Sequence, residues 1–140
     1  INVLPLQSGS LYLGAHPDTI RRHLATLRRE RIAFDAKDPK RTPADPPRTG
    51  RNWGGWGDVI LMVQALADPA AALADCDFAR QPVEDGNSRA NLHQWIHLLN
   101  RYGTPDTGVT ADTPLHAVLS KDGVRTYVAY GPAGRKVTFS

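Results

Sequence analysis

Nine residues, VILMVQALA at 59–67, constrain this chain more than any other stretch: they are apolar around most of a helix's circumference, interrupted only by Gln64 and bounded by Asp58 and Asp68. A helix of that kind has to be covered on nearly every side. The run is far short of the roughly 20 residues that a bilayer-spanning helix needs, and it is the longest such run in the chain. No membrane partner is therefore expected. The cover must come from the rest of a 140-residue chain that is 41% hydrophobic, a composition that excludes a disordered tail. With Cys76 as the one cysteine, neither an internal disulfide nor a Cys-rich zinc site is available, and apolar burial alone must hold the fold.

The other elements follow from period and punctuation. The chain begins at Ile1 already in a strand-like pattern, INVLPL, with no basic-then-apolar leader, and it reads as a piece of something longer. A Ser8 to Ser10 turn and the short apolar LYLG come next. His16, Pro17 and Asp18 open a helix in which Ile20, Leu24 and Leu27 recur at helical spacing to about Ile32. Residues 35–52 hold four prolines among Asp, Lys and Arg and read as a long surface loop. Asp58 is the expected N-cap of the apolar helix, Asp68 and Pro69 start a short one, and Ser88 caps RANLHQWIHLLNRY, which stops at Gly103. Leu92, Trp95, Ile96 and Leu99 are the apolar stripe of that last helix. Beyond Pro105 the period changes from 3.6 to 2, and LHAVLS, VRTYVAY and KVTFS read as a three-stranded antiparallel meander. The fold class is α+β, divided as residues 1–104, mainly helical, and 105–140, the β-meander.

Charge is local. Residues 15–51 carry ten Lys/Arg against five Asp/Glu, although the formal net charge of the chain is only +3. Arg21, Arg22, Arg28, Arg29 and Arg31 lie opposite the apolar residues of their helix, and Phe34 is the only aromatic near them. A nucleic-acid surface would interleave aromatics for stacking. A solvated helix face is the preferred reading, and no nucleic-acid partner is expected.

Three phrases occur in a telling order: INVLPLQSGSLYLGAHPDTI, then WGDVILMVQALADPAAAL, then EDGNSRANLHQWIHLLNRYGTPDTGVTADTPLHAVLSKDGVRTYVAYGPAGRKVTFS. Together they resemble the C-terminal part of bacterial glycoside hydrolase family 81, the endo-β-1,3-glucanases. The resemblance covers nearly the whole chain. Two places depart from it: the 35–52 loop has no counterpart, and Gly131 stands where asparagine is expected. As implied by the resemblance, the helices are the last three or four of an (α/α)6 toroid followed by the β-meander, and the parent protein is secreted and cleaves β-1,3-glucan with inversion. Inversion uses an acid and a base carboxyl about 6.5–9.5 Å apart. The family's catalytic acids precede the stretch that this chain begins with, so the chain is expected to hold no catalytic pair and to need the remainder of the parent polypeptide. With most of the ring missing, the apolar helix and the Trp-bearing faces are expected to leave an exposed apolar patch. The partner expected is β-1,3-glucan, touched by Tyr12, Trp53, Trp56, Asp85, Asn87 and Arg89. Neither a cofactor nor a metal is expected. A non-catalytic carbohydrate-binding or structural domain is the alternative.

Each chemical candidate has a structural counter-reading. Glu84 and Asp85 could serve as a base or a hydroxyl acceptor, but as neighbours they suit support of a helix N-terminus better than an inverting pair. His93 and His97 share a helix face, yet the glutamate of a zincin motif and a third ligand are both missing, so a packed, hydrogen-bonded pair is preferred. Neither His16 nor His116 has an evident partner. Trp95 reads as core, whereas Trp53 and Trp56, among glycines, fit a ligand platform or a tight turn equally. Ser8 and Ser10 lack a nucleophile elbow, and Cys76 has anionic neighbours that disfavour its thiolate.

Overall fold

The computed structural model describes residues 11–37, 56–131 and 133–140. The expected INVLPL strand, the Ser8 to Ser10 turn, Trp53 and all of the proline-rich loop beyond Lys37 lie outside the described residues. A 3₁₀ turn at Tyr12–Ala15 leads into α1 (Pro17–Ala36), with Pro17 in the first turn where its missing N–H costs nothing. The helix runs four residues past the expected end at Ile32 and takes in Ala36, so the loop starts later than its composition suggests. Asp35 accounts for part of this, being buried and paired one turn back with Arg31 at 3.2 Å.

The apolar stretch forms α2 (Gly57–Ala65), followed by α3 (Pro69–Asp75) and α4 (Arg89–Tyr102). Asp68 caps α3 through the Ala71 N–H at 3.0 Å, and Ser88 caps α4 through the Asn91 N–H at 3.1 Å. Asp58 does not cap α2 as expected. It sits inside the first turn, and its carboxylate points away from its own helix. Leu61, Ala65, Leu66 and Ala67 of the α2 region join Ile20, Leu24, Leu92, Trp95, Ile96 and Leu99 in one core. Burying each leucine or isoleucine among them is worth about 1.5–3 kcal/mol.

The arginine face of α1 is only partly solvated. Arg22 and Arg29 are exposed, but Arg21 donates to the Ala67 carbonyl at 2.7 Å, beyond the C-terminal end of α2. Arg28 pairs with Asp75 at 2.6 Å, and Asp75 also accepts from Gln64 Nε2 at 3.0 Å. This polar knot joins α1, α2 and α3 at the one polar position within the apolar run.

The sheet is three-stranded and antiparallel, in the order β1 (Thr104–Pro105), β2 (His116–Lys121), β3 (Val124–Ala129). Its third strand is therefore the short TP segment after α4 and not KVTFS, which pairs with residues 110–112 through an Ala111–Phe139 bridge. Asp122 and Gly123, at φ 51° and 79°, make the two-residue hairpin turn. Ala117 and Leu119 of β2 lie in the same core as the helices. Gly103 couples the two layers: at φ +98° a Cβ there would run into the Ser120 carbonyl.

Gly103→Ala should thus cost more than the ~1–3 kcal/mol of an unfavourable backbone alone. Gly123→Ala, with positive φ but open space around it, should cost only that strain, and urea midpoints of the two variants measure the difference.

Candidate functional site

Asp58 organises the end of the molecule where α2 and α4 both begin. Its side chain is fully buried, and its Oδ2 accepts from the Glu84 N–H at 3.1 Å and from the Asn87 amide. Its Oδ1 has no hydrogen-bond partner among the described residues. A buried carboxylate is tolerated only where donors are aimed at it, and here the donors belong to the loop that precedes α4. Asn87 completes the clasp, since its Oδ1 accepts from Ser88 N and Asn91 Nδ2, both at 2.8 Å. Gly57 lets the loop close in, because a Cβ there would strike the Gln81 amide.

This arrangement sorts the residues expected to touch a sugar. Trp56 (62% exposed), Asp85 and Arg89 are presented outward at this end. Asn87 does not fit as a free contact: its amide is spent on Asp58 and the carbonyl on α4, so it holds the loop that carries the others. Tyr12 (63% exposed) lies elsewhere. Its 3₁₀ turn packs through Gly14 on Pro105, past the C-terminal end of α4. That helix has 14 residues and is about 21 Å long. Trp53 lies outside the described residues. The six expected contacts therefore do not form one site.

The other candidates also find their places. Ser88 caps the α4 N-terminus, and neither the Glu84 nor the Asp85 carboxylate accepts a hydrogen bond from it among the described residues. Trp95 is core, with its indole N–H donated to the Met62 carbonyl at 3.0 Å. His93 and His97 are exposed and stacked at 4.0 Å, with Phe78 against both rings, and are not hydrogen-bonded among the described residues. Among those residues no group of three or more His, Cys, Asp or Glu could hold a metal ion. Burial, and then the charge of Asp77, pushes the Cys76 thiol up to about 11. His116 does have a partner, the Thr113 carbonyl at 2.7 Å from Nδ1. The reading of the residues missed Asp58 as a buried acceptor. The available signal was the Asn87/Asn91 pair, one helical turn apart and able to link side chains.

No protein-family model matches the chain. It is 39% identical over 140 residues to a glucan endo-1,3-beta-D-glucosidase of Thermobifida fusca, covering 99% of this chain and 16% of that protein. It is also 39% identical, over 100% of its length and 16% of the other's, to a glucan endo-1,3-beta-D-glucosidase of Acetivibrio thermocellus. The chain thus spans about one sixth of the length of these relatives. A solved structure of a glycoside hydrolase family 81 protein from Clostridium thermocellum, a point mutant, matches with a TM-score of 0.69 and 38% identity over 99% of this chain and 17% of that one.

Asp58→Ala leaves the Glu84 N–H and the Asn87 amide unpaired and should lower stability by about 1–3 kcal/mol in urea denaturation. Asp58→Asn keeps an acceptor, removes the charge and should lose less. Cys76, with its thiol raised from 9.0 to about 11, should alkylate at pH 8 about 100-fold more slowly in the folded chain than in urea.

Proposed function

Given a chain that matches a segment of glycoside hydrolase family 81 over nearly all of its own length, we propose that it is a working part of a secreted endo-β-1,3-glucanase. The observation that carries this reading is the 39% identity along 99% of the chain to a glucan endo-1,3-beta-D-glucosidase. In the parent polypeptide, an acid and a base carboxyl upstream of Ile1 cleave β-1,3-glucan with inversion. One protonates the glycosidic oxygen, and the other activates a water on the opposite face of the ring. Residues 1–104 complete the α/α toroid, and residues 105–140 form the β-structure packed on it.

An apolar groove of about 310 Å³ between α1 and α2 supports the toroid reading. Leu13, Leu27, Val59, Ile60 and Val63 line it, and Leu13 and Val59 are exposed. A helix from the remainder of the polypeptide, laid in that groove, would supply the cover that α2 lacks. At the end held by Asp58, exposed Trp56 offers a flat aromatic face to the C–H face of a glucosyl ring, and Trp53, three residues earlier in the sequence, is proposed as a further contact. Asp85 and Arg89 offer hydrogen bonds to its hydroxyls. Asn87 sets the position of that loop.

The 140-residue chain alone should release no oligosaccharides from laminarin. In the parent enzyme, Asp85→Ala combined with Arg89→Ala should raise KM about tenfold, the scale of one lost hydrogen bond to a charged group, and leave kcat nearly unchanged. Hydrolysis by the isolated chain, abolished by Glu84→Gln, would put the catalytic acids inside it and sink this reading.

A further inference from the structure

We infer that the pocket between the Tyr12–Ala15 turn and β2 is a glucosyl-binding subsite, separate from the Trp56 end and suited to a neutral sugar ring; this rests on the glucanase reading above. The pocket has a volume of about 370 Å³ and is lined by Leu11, Tyr12, Pro105, Thr110, His116 and Val118, among others. That volume lies within the range of small-molecule sites, about 300–1,000 Å³.

Two features select the ligand class. The first is His116, which is 9% exposed and lines the pocket. A carbonyl can only accept, so the 2.7 Å contact with Thr113 fixes the proton of the neutral ring on Nδ1. Nε2 is left as a bare acceptor with no partner among the described residues, suited to a hydroxyl that donates. The second is the absence of free charge among the described lining residues. Asp106 is the only carboxylate among them, and it is paired, Oδ2 accepting from Arg125 at 2.7 Å and Oδ1 from the Gly108 N–H at 3.1 Å. An anion or a cation entering here finds no unpaired countercharge among the described lining residues, whereas a sugar ring meets apolar walls, the exposed ring of Tyr12 for its C–H face, and Thr107 and Thr110. Asp106 serves by holding the 106–110 loop as a wall.

The pocket lies beyond the C-terminal end of α4, with the Trp56 group about one helix length away. A linear glucan is long enough to meet both, and this subsite would hold the polymer away from the end where Asp58 places the loop.

Titration of the full ¹⁵N-labelled chain with laminaritriose, followed by NMR, tests the inference. The His116 Nε2 resonance and the amides of residues 106–118 should shift. Tyr12→Ala, which removes an exposed side chain and spares the core, should weaken that response at least tenfold, and Trp56→Ala should leave it unchanged. Adding 0.5 M NaCl should leave the affinity nearly the same, because no charge is neutralised on binding. Shifts confined to Trp56, Asp85 and Arg89 would overturn the subsite and leave the glucanase reading standing. A response indifferent to Tyr12→Ala would also overturn it. If laminaritriose shifts nothing anywhere in a chain whose spectrum is that of a folded protein, the subsite and the glucan contacts proposed for this chain fall together, while laminarin hydrolysis by the parent polypeptide separately decides the glucanase reading.

Discussion

The arrangement of this protein turns on covering α2. A helix apolar on nearly all sides cannot stand in water, and its neighbours are placed as its shield: α1 on one side, α3 and α4 on others, and β2 reaching the same core. The shield is incomplete where Val59 and Leu13 face the groove beside α1. Hydrophobic burial has no direction of its own. Polar groups embedded in or beside the helix supply the orientation. Gln64 reaches Asp75 and, with Arg28, joins three helices, while Asp58 draws in the loop before α4.

Those two contacts divide the labour between scaffold and surface. The Arg28–Asp75–Gln64 knot leaves little to offer a ligand, because its polar atoms are turned toward one another. The Asp58 clasp does the opposite: it takes up the Glu84 N–H and the Asn87 amide and leaves Asp85, Arg89 and Trp56 facing outward. A loop held by a buried carboxylate presents its side chains with less entropy left to lose on binding. The pocket at the sheet follows the same logic, with Asp106 tied to Arg125 and to its own loop so that the wall is firm and its carboxylate paired.

Particular residues show where reading the chain succeeded and where it could not. The stripe Leu92, Trp95, Ile96 and Leu99 and the caps at Asp68 and Ser88 were legible, because helical periodicity and capping are written within a few residues of each other. The hairpin from His116 to Ala129 was legible for the same reason, its turn being Asp122–Gly123. The partner of β2 on its other side was not: KVTFS has the right alternation, but Thr104–Pro105 follows directly from α4 and takes that edge. Asp58 was misread because an aspartate ahead of an apolar helix looks the same whether it caps that helix or serves a loop 26 residues away.

What this amino-acid sequence determined by itself was the set of local elements, the need to bury α2 and, through ordered phrases, the likeness to family 81. Periodicity, capping and turn chemistry act over a few residues, so they can be read without a fold. The tertiary structure alone decided which polar groups are spent and which remain. Asn87 is consumed by Asp58, His116 engages the Thr113 carbonyl through Nδ1, and the Tyr12 turn packs on Pro105 past the C-terminal end of α4, whereas Asp85 precedes its N-terminus. Each of these depends on a donor meeting an acceptor, or on a distance fixed by packing, and neither exists until the chain has folded.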